Sequence, residues 1–225
     1  MKRGILLEIK TIGLLGVNCY LVNTGNGYIL IDTGFSFKRH AIERELENAG
    51  CKPGNLRLII ITHGDSDHTG NAAYLRKKYG TKIAAHPAES AAMEKGNMRL
   101  SRKMSRKSTR ILAGMVFNLP FARLSKSGRF KPDLYIEDGH DFSEYGFNAR
   151  VLHVPGHTSG SIAVLTAEGD LFCGDLFRNN GKPSKNNLVD DSAEMNASIE
   201  RLEGLNIKAI YPGHGKAFTL LELLR

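Results

Sequence analysis

Apolar residues along this chain fall into short runs spaced for strands, with helical spacing in the stretches between them. Ile5–Ile12 and Cys19–Thr24 read as strands, and Tyr28–Asp32 follows after the turn Gly25-Asn26-Gly27. An Asn-Gly pair between short apolar runs marks a hairpin. Ile42, Leu46 and Ala49 share one face of a helix predicted over Lys38–Ala49, with Gly50 as its stop. Leu56–Thr62 is apolar almost throughout, as a strand covered on both faces would be. A helix opening at Thr69 or Asn71 runs to Tyr79, Lys82–Ala85 is a short strand, and Ala88–Gly96 is helical in composition. Phe147–Val154, Ser161–Thr166 and Leu171–Cys173 return to strand character. Ser192 is placed to cap a helix through Leu202, Ala209–Tyr211 is the last strand, and Phe218–Leu224 a terminal helix. Two batches of strands, each followed by helix, predict two packed sheets with helices outside.

At 225 residues the chain suits a single domain, residues 1–225. Cys19, Cys51 and Cys173 are odd in number and in no zinc spacing, so they read as separate thiols in a reducing compartment. Glu8 interrupts the N-terminal apolar run too early for a signal peptide, and no run approaches a membrane span. A cytoplasmic location is the resulting expectation.

The net charge of +8 is concentrated in one place. Residues 95–132 carry eleven Lys and Arg and no acid, which leaves the rest of the chain slightly acidic. Within this largely helical insertion Arg99, Arg102, Lys103, Arg106, Lys107 and Arg110 recur at helical spacing, so one face would attract an anionic small-molecule substrate. A solvated insertion and a membrane-surface contact are the competing readings. The sparse aromatics Phe117, Phe121 and Phe130 argue against nucleic acid.

The chemistry lies in Ile-Ile-Ile-Thr-His-Gly-Asp-Ser-Asp-His-Thr-Gly, which crowds His63, Asp65, Asp67 and His68 onto one turn. Such crowding is unfavourable unless a cation neutralises it. His157, Asp175 and His214 each follow a glycine at the end of an apolar run and complete a set that two cations could share. A single histidine or aspartate in such a turn is more often structural; seven together favour a metal site.

The first motif resembles His-x-His-x-Asp-His of the metallo-β-lactamase fold superfamily, with Asp65 where the second histidine is usual. His157, Asp175 and His214 match the later motifs in order, and Asn18-Cys19-Tyr20 and Ile31-Asp32-Thr33-Gly34 look like the family's opening strands. The resemblance implies an αββα sandwich with His63, Asp65 and His157 on metal one, Asp67, His68 and His214 on metal two, and Asp175 between them. It also implies that Asp32 orients a ligand histidine such as His63. The implied activity is hydrolysis of an ester, thioester, lactone or phosphodiester by a hydroxide held between two metals, with Asp67 assisting proton transfer. Three carboxylates, two dications and one hydroxide sum to zero charge, so iron and manganese compete with zinc, the first expectation. A di-iron oxidoreductase and a non-catalytic anion- or metal-binding protein are the alternatives. Oligomeric state is not legible.

Overall fold

The computed structural model describes residues 7–101, 124 and 126–223. The expected basic helix and the apolar stretch after it, with Arg102, Lys103, Arg106, Lys107 and Arg110, lie outside these residues. Arg99 falls in a short 3-10 turn, Met98–Ser101.

The first sheet contains β1 (Glu8–Leu14), β2 (Val17–Asn23), β3 (Tyr28–Ile31), β4 (Leu56–Ile60), β5 (Lys82–Ala85) and β6 (Leu134–Tyr135), in that spatial order. β1–β3 form an antiparallel meander and β3–β6 run parallel, because α1 (Arg39–Asn48) and the pair α2 (Ser66–Thr69) and α3 (Ala72–Tyr79) provide the crossovers. α4 (Ser90–Lys95) follows β5. The second sheet contains β7 (Ala149–His153), β8 (Ile162–Thr166), β9 (Asp170–Asn179) and β10 (Pro183–Lys185). β11 (Ala209–Gly215) pairs parallel with β9 after α5 (Ser192–Glu200), and α6 (Leu220–Leu223) comes last.

Strand periodicity explains the four layers. Along β4 and the residue after it, Leu58 and Ile60 face the second sheet, whereas Ile59 and Ile61 face Leu46 of α1 and Leu75 and Tyr79 of α3. β3 alternates likewise, with Ile29 and Ile31 between the sheets and Leu30 toward the helices. On the second sheet Val151, Val164 and Phe172 point inward, while Leu152, Leu165 and Leu171 pack with Met195 and Leu202 on the outer side. The result is the expected αββα sandwich.

Several boundaries differ from the sequence expectation. β9 and β11 extend through Asp175 and His214, where glycine had suggested strand ends; their ladder absorbs the glycines by shifting register around Tyr211, Pro212 and His214. β6 and β10 are two and three residues long, too short for a periodic signal. Asp191, not Ser192, caps α5, its carboxylate accepting from the amides of Ala193 and Glu194. Among the described residues no helix is long and apolar enough to cross a membrane.

Phe172 links the sheets, its ring centroid 5.3 Å from Tyr20 and 5.0 Å from Tyr211. Phe172→Ala should cost about 3–5 kcal/mol. Urea denaturation would measure this as a lower midpoint at unchanged slope; a loss below about 1 kcal/mol would remove Phe172 as an inter-sheet anchor.

Candidate metal centre

The proposed ligands follow strand ends, lie on strands or sit on the short helix after β4, all at the same edge of the sandwich. His63 and Asp65 follow β4, Asp67 and His68 sit on α2, His157 follows β7, Asp175 is on β9 and His214 on β11. All seven converge. Donor atoms of His63, Asp65 and His157 form one cluster within 4.8 Å, those of Asp67, His68 and His214 another, and those of His63, His68 and Asp175 a third that joins them. Asp175 Oδ2 lies 3.6 Å from His157 Nε2, while its Oδ1 lies 3.4 Å from Nε2 of both His68 and His214. One oxygen therefore faces each half of the site.

The residues fit cations better than hydrogen bonds. Nε2 of His63 is 3.6 Å from Asp65 Oδ2, and Nε2 of His214 is 3.5 Å from Asp67 Oδ2. These separations are long for hydrogen bonds. They match ligand atoms around a shared ion, which lie about 3.4 Å apart for tetrahedral bonds near 2.1 Å. Among the described residues the buried atoms His63 Nε2, His68 Nε2 and Asp175 Oδ1 have no hydrogen-bond partner, which is costly without an ion.

The outward ring nitrogens are all engaged, which turns Nε2 inward. His68 Nδ1 donates to Asp32 Oδ2 at 2.8 Å, His157 Nδ1 to the Leu188 carbonyl at 2.5 Å and His214 Nδ1 to the Gly16 carbonyl at 2.7 Å. His63 Nδ1 donates to the Thr62 hydroxyl at 3.0 Å, since that hydroxyl gives its own proton to Asp32 Oδ2. Asp32 thus orients a ligand histidine as expected, but its direct imidazole partner is His68, and it reaches His63 through Thr62. Asp32 has a left-handed φ of 59°, tolerable for aspartate and held by the Thr62 amide on its other oxygen.

Sequence reasoning overlooked the first two of three supports. Asn186 donates to Asp175 Oδ2 at 3.0 Å. Asn18 Nδ2 and the Tyr20 hydroxyl donate to the Pro212 carbonyl, and Asn18 also to that of Gly215, tying β2 across the sheets to the His214 strand. Gly213 lets the chain pass the site, since a Cβ there would lie 2.5 Å from Asp175 Oδ1. Asparagine beside short apolar strands gives no signal that it will bond a carbonyl about 200 residues away.

Burial opposes charge on the imidazoles, yet the carboxylates outweigh it. Desolvation disfavours His68 protonation, but Asp32, Asp67 and Asp175 push its pKa up to about 9. Burial likewise works against His214, and its contacts with Asp175 and Asp67 raise it to about 11. Burial would raise Asp175, but His68, His214 and His157 hold it well below the usual carboxylate range.

The chain belongs to the metallo-beta-lactamase superfamily, whose family model matches residues 12–214. A beta-lactamase-like protein 2 homolog from Drosophila melanogaster is 26% identical over 90% of this chain and 59% of its own length. An atrochrysone carboxyl ACP thioesterase from Cryptosporiopsis sp. is 25% identical over 93% of this chain and 52% of its own. The chain thus spans about half the length of these curated relatives. Among solved structures, TTHA1623 in a di-iron-bound form is 28% identical, with a TM-score of 0.72 and 97% of each chain covered. A Cronobacter sakazakii metallo-beta-lactamase with a HARLDQ motif shares the fold at 23% identity, TM-score 0.69, covering 92% of this chain and 75% of that one.

Without cations His68 and His214 hold protons at neutral pH, so metal must displace them. Cation affinity should rise with pH through the neutral range and flatten for His68 above about 9. Calorimetry in buffers of different ionisation enthalpy should show proton release at pH 7. The metal-free protein should also lose stability as pH rises through those raised values, because the unfolded histidines titrate near 6.5. Metal binding at pH 7 without proton release would refute this charge assignment.

Proposed function

We propose that the chain is a two-metal hydrolase cleaving a thioester or ester bond in a small anionic substrate. The reading is carried by one observation: two triads, each of two histidines and one aspartate, face opposite oxygens of Asp175. His63, Asp65 and His157 would hold one cation, Asp67, His68 and His214 the other, and Asp175 both. Two relatives named as thioesterases, at 25% and 26% identity, support the acyl bond. Lactones and phosphodiesters are further substrates for the same chemistry.

Bound cations supply Lewis acidity, lowering the pKa of water and offsetting charge that develops on the attacked group. The protein's own contribution is to aim and enclose. His63 and His157 are essentially inaccessible, whereas Asp67 and His214 keep 18% and 26% of their side chains exposed. Substrate therefore approaches from the Asp67–His214 side. Asp67 is the acidic side chain we assign to passing a proton to the leaving group. The basic residues of 95–132, with Arg99, Arg102, Lys103, Arg106, Lys107 and Arg110, would draw the anionic substrate in.

Zinc suits four histidines, and Asp65 in place of a histidine brings iron and manganese into competition. The di-iron-bound relative favours iron enough to sustain a second reading, a di-iron oxidoreductase. Elemental analysis of purified protein should find two metals per chain. Protein reloaded with zinc, iron or manganese should then hydrolyse members of a panel of thioesters, esters, lactones and phosphodiesters. Two bound metals with no turnover would sink the hydrolase; visible absorbance that bleaches on reduction would favour the oxidoreductase.

Asp65→Ala should leave one metal per chain and slow turnover roughly 100-fold or more. Unchanged stoichiometry and rate would remove Asp65 from the ligand set. Neutralising Arg102, Lys103 and Arg106 together should raise KM for an anionic substrate several-fold at low salt, with kcat nearly constant. An identical KM would separate the basic segment from substrate capture.

A further inference from the structure

Glu89 is a carboxylate with no solvent exposure, between β5 and α4, outside both triads. Its Oε2 accepts from the Gly64 amide at 2.7 Å, and its Oε1 from the Gly160 amide at 2.9 Å. The side chain of Thr158, whose hydroxyl is 2.8 Å from that of Ser161, also favours the charged form of Glu89. Gly64 lies between His63 and Asp65, while Thr158 and Gly160 belong to the turn that opens with His157. Both turns carrying the inner triad are thus fastened to one side chain. Gly160 must be glycine for this approach, since a Cβ there would lie 2.7 Å from Glu89 Oε1.

The outer triad has a counterpart in Asp32, which bonds His68 directly. Asp65 makes the ligand sets of the two halves alike, and each half has its own buried carboxylate that is not a ligand. Asp32 acts through an imidazole, Glu89 through backbone amides.

We propose that Glu89 is the positioning residue of the inner half: by clamping the His63–Asp65 turn to the His157 turn, it sets the separation of the ligands that take the inner cation. This deepens the two-cation reading above and does not depend on which bond is hydrolysed. Replacing the carboxylate by an amide turns a donor against one of two amide N–H groups, so one clamp contact is lost and the turns separate. Losses of this kind in supporting hydrogen bonds lower metal affinity about 10–100-fold.

The test is titration of metal-free protein with zinc against a chromophoric chelator, in backgrounds that keep one half each. In H214A, which keeps the inner triad, Glu89→Gln should weaken zinc binding about 10–100-fold, and Asp32→Asn should change it less. In H157A, which keeps the outer triad, the pattern should reverse, with Glu89→Gln within about twofold of its parent. If Glu89→Gln does not fold, as judged by circular dichroism, Glu89→Asp supplies the same readout, since it keeps the charge but withdraws the oxygens by one methylene. Equal weakening in both backgrounds, or none in H214A, overturns the clamp. Wild-type protein taking up fewer than two zinc ions overturns the two-cation reading and this inference together. Two ions in wild type with no selective effect of Glu89 overturns the inference alone.

Discussion

The structure is governed by the electrostatic cost of gathering carboxylates and imidazoles in one dry place. Asp32, Asp65, Asp175 and Glu89, with His63, His68 and His157, are buried at a single edge of the sandwich, and Asp67 and His214 complete the group at its mouth. Taking isolated charges out of water costs several kcal/mol per ion even after relaxation. The fold offsets this by bonding every outward-facing ring nitrogen and by directing backbone amides at the carboxylates that are not ligands. Among the described residues the inward-facing atoms His63 Nε2, His68 Nε2 and Asp175 Oδ1 lack hydrogen bonds, and cations would satisfy them.

The sandwich is suited to holding such a cluster because its ligands leave strands whose other residues are fixed in two cores. Ile59 and Ile60, three and two residues from Thr62, point into opposite cores, so the turn that begins at His63 starts from a backbone with little freedom. On the second sheet, pairing of β11 with β9 brings His214 and Asp175 together although 39 residues separate them in sequence. Asn18 and Tyr20 then carry the connection across to the first sheet through carbonyls of the His214 strand. Asymmetry of exposure follows from this placement. The inner triad is buried, while the outer one opens toward solvent beside Gly16 and the β1–β2 turn.

Much of the fold was legible because strand alternation and apolar runs report burial locally. β2, β3, β4, β5, β7, β8 and the helices α1, α3 and α5 lie within a few residues of their sequence expectation. Errors fell where a local signal competes with a distant partner. Glycine before Asp175 and His214 reads as a strand end, yet the β9–β11 ladder continues past it with shifted register. Ser192 looks like a cap, but the preceding Asp191 has the geometry to accept from two amides. Glu89 reads as an ordinary polar residue leading into a helix, and its bonds to Gly64 and Gly160 carry no sequence signature.

The sequence alone determined the chemical inventory: the seven donors, their order along the chain, the alternation that predicts two sheets, and the confinement of excess positive charge to 95–132. These are properties of residue type and spacing, which a linear pattern records. Only tertiary structure decided which donors face one another, that Asp175 turns one oxygen to each half, that Asp32 holds His68 and reaches His63 through Thr62, and that Glu89 joins two distant turns. Those relations depend on angles and separations of a few ångströms between segments far apart in sequence, and they are fixed only once the two sheets have packed.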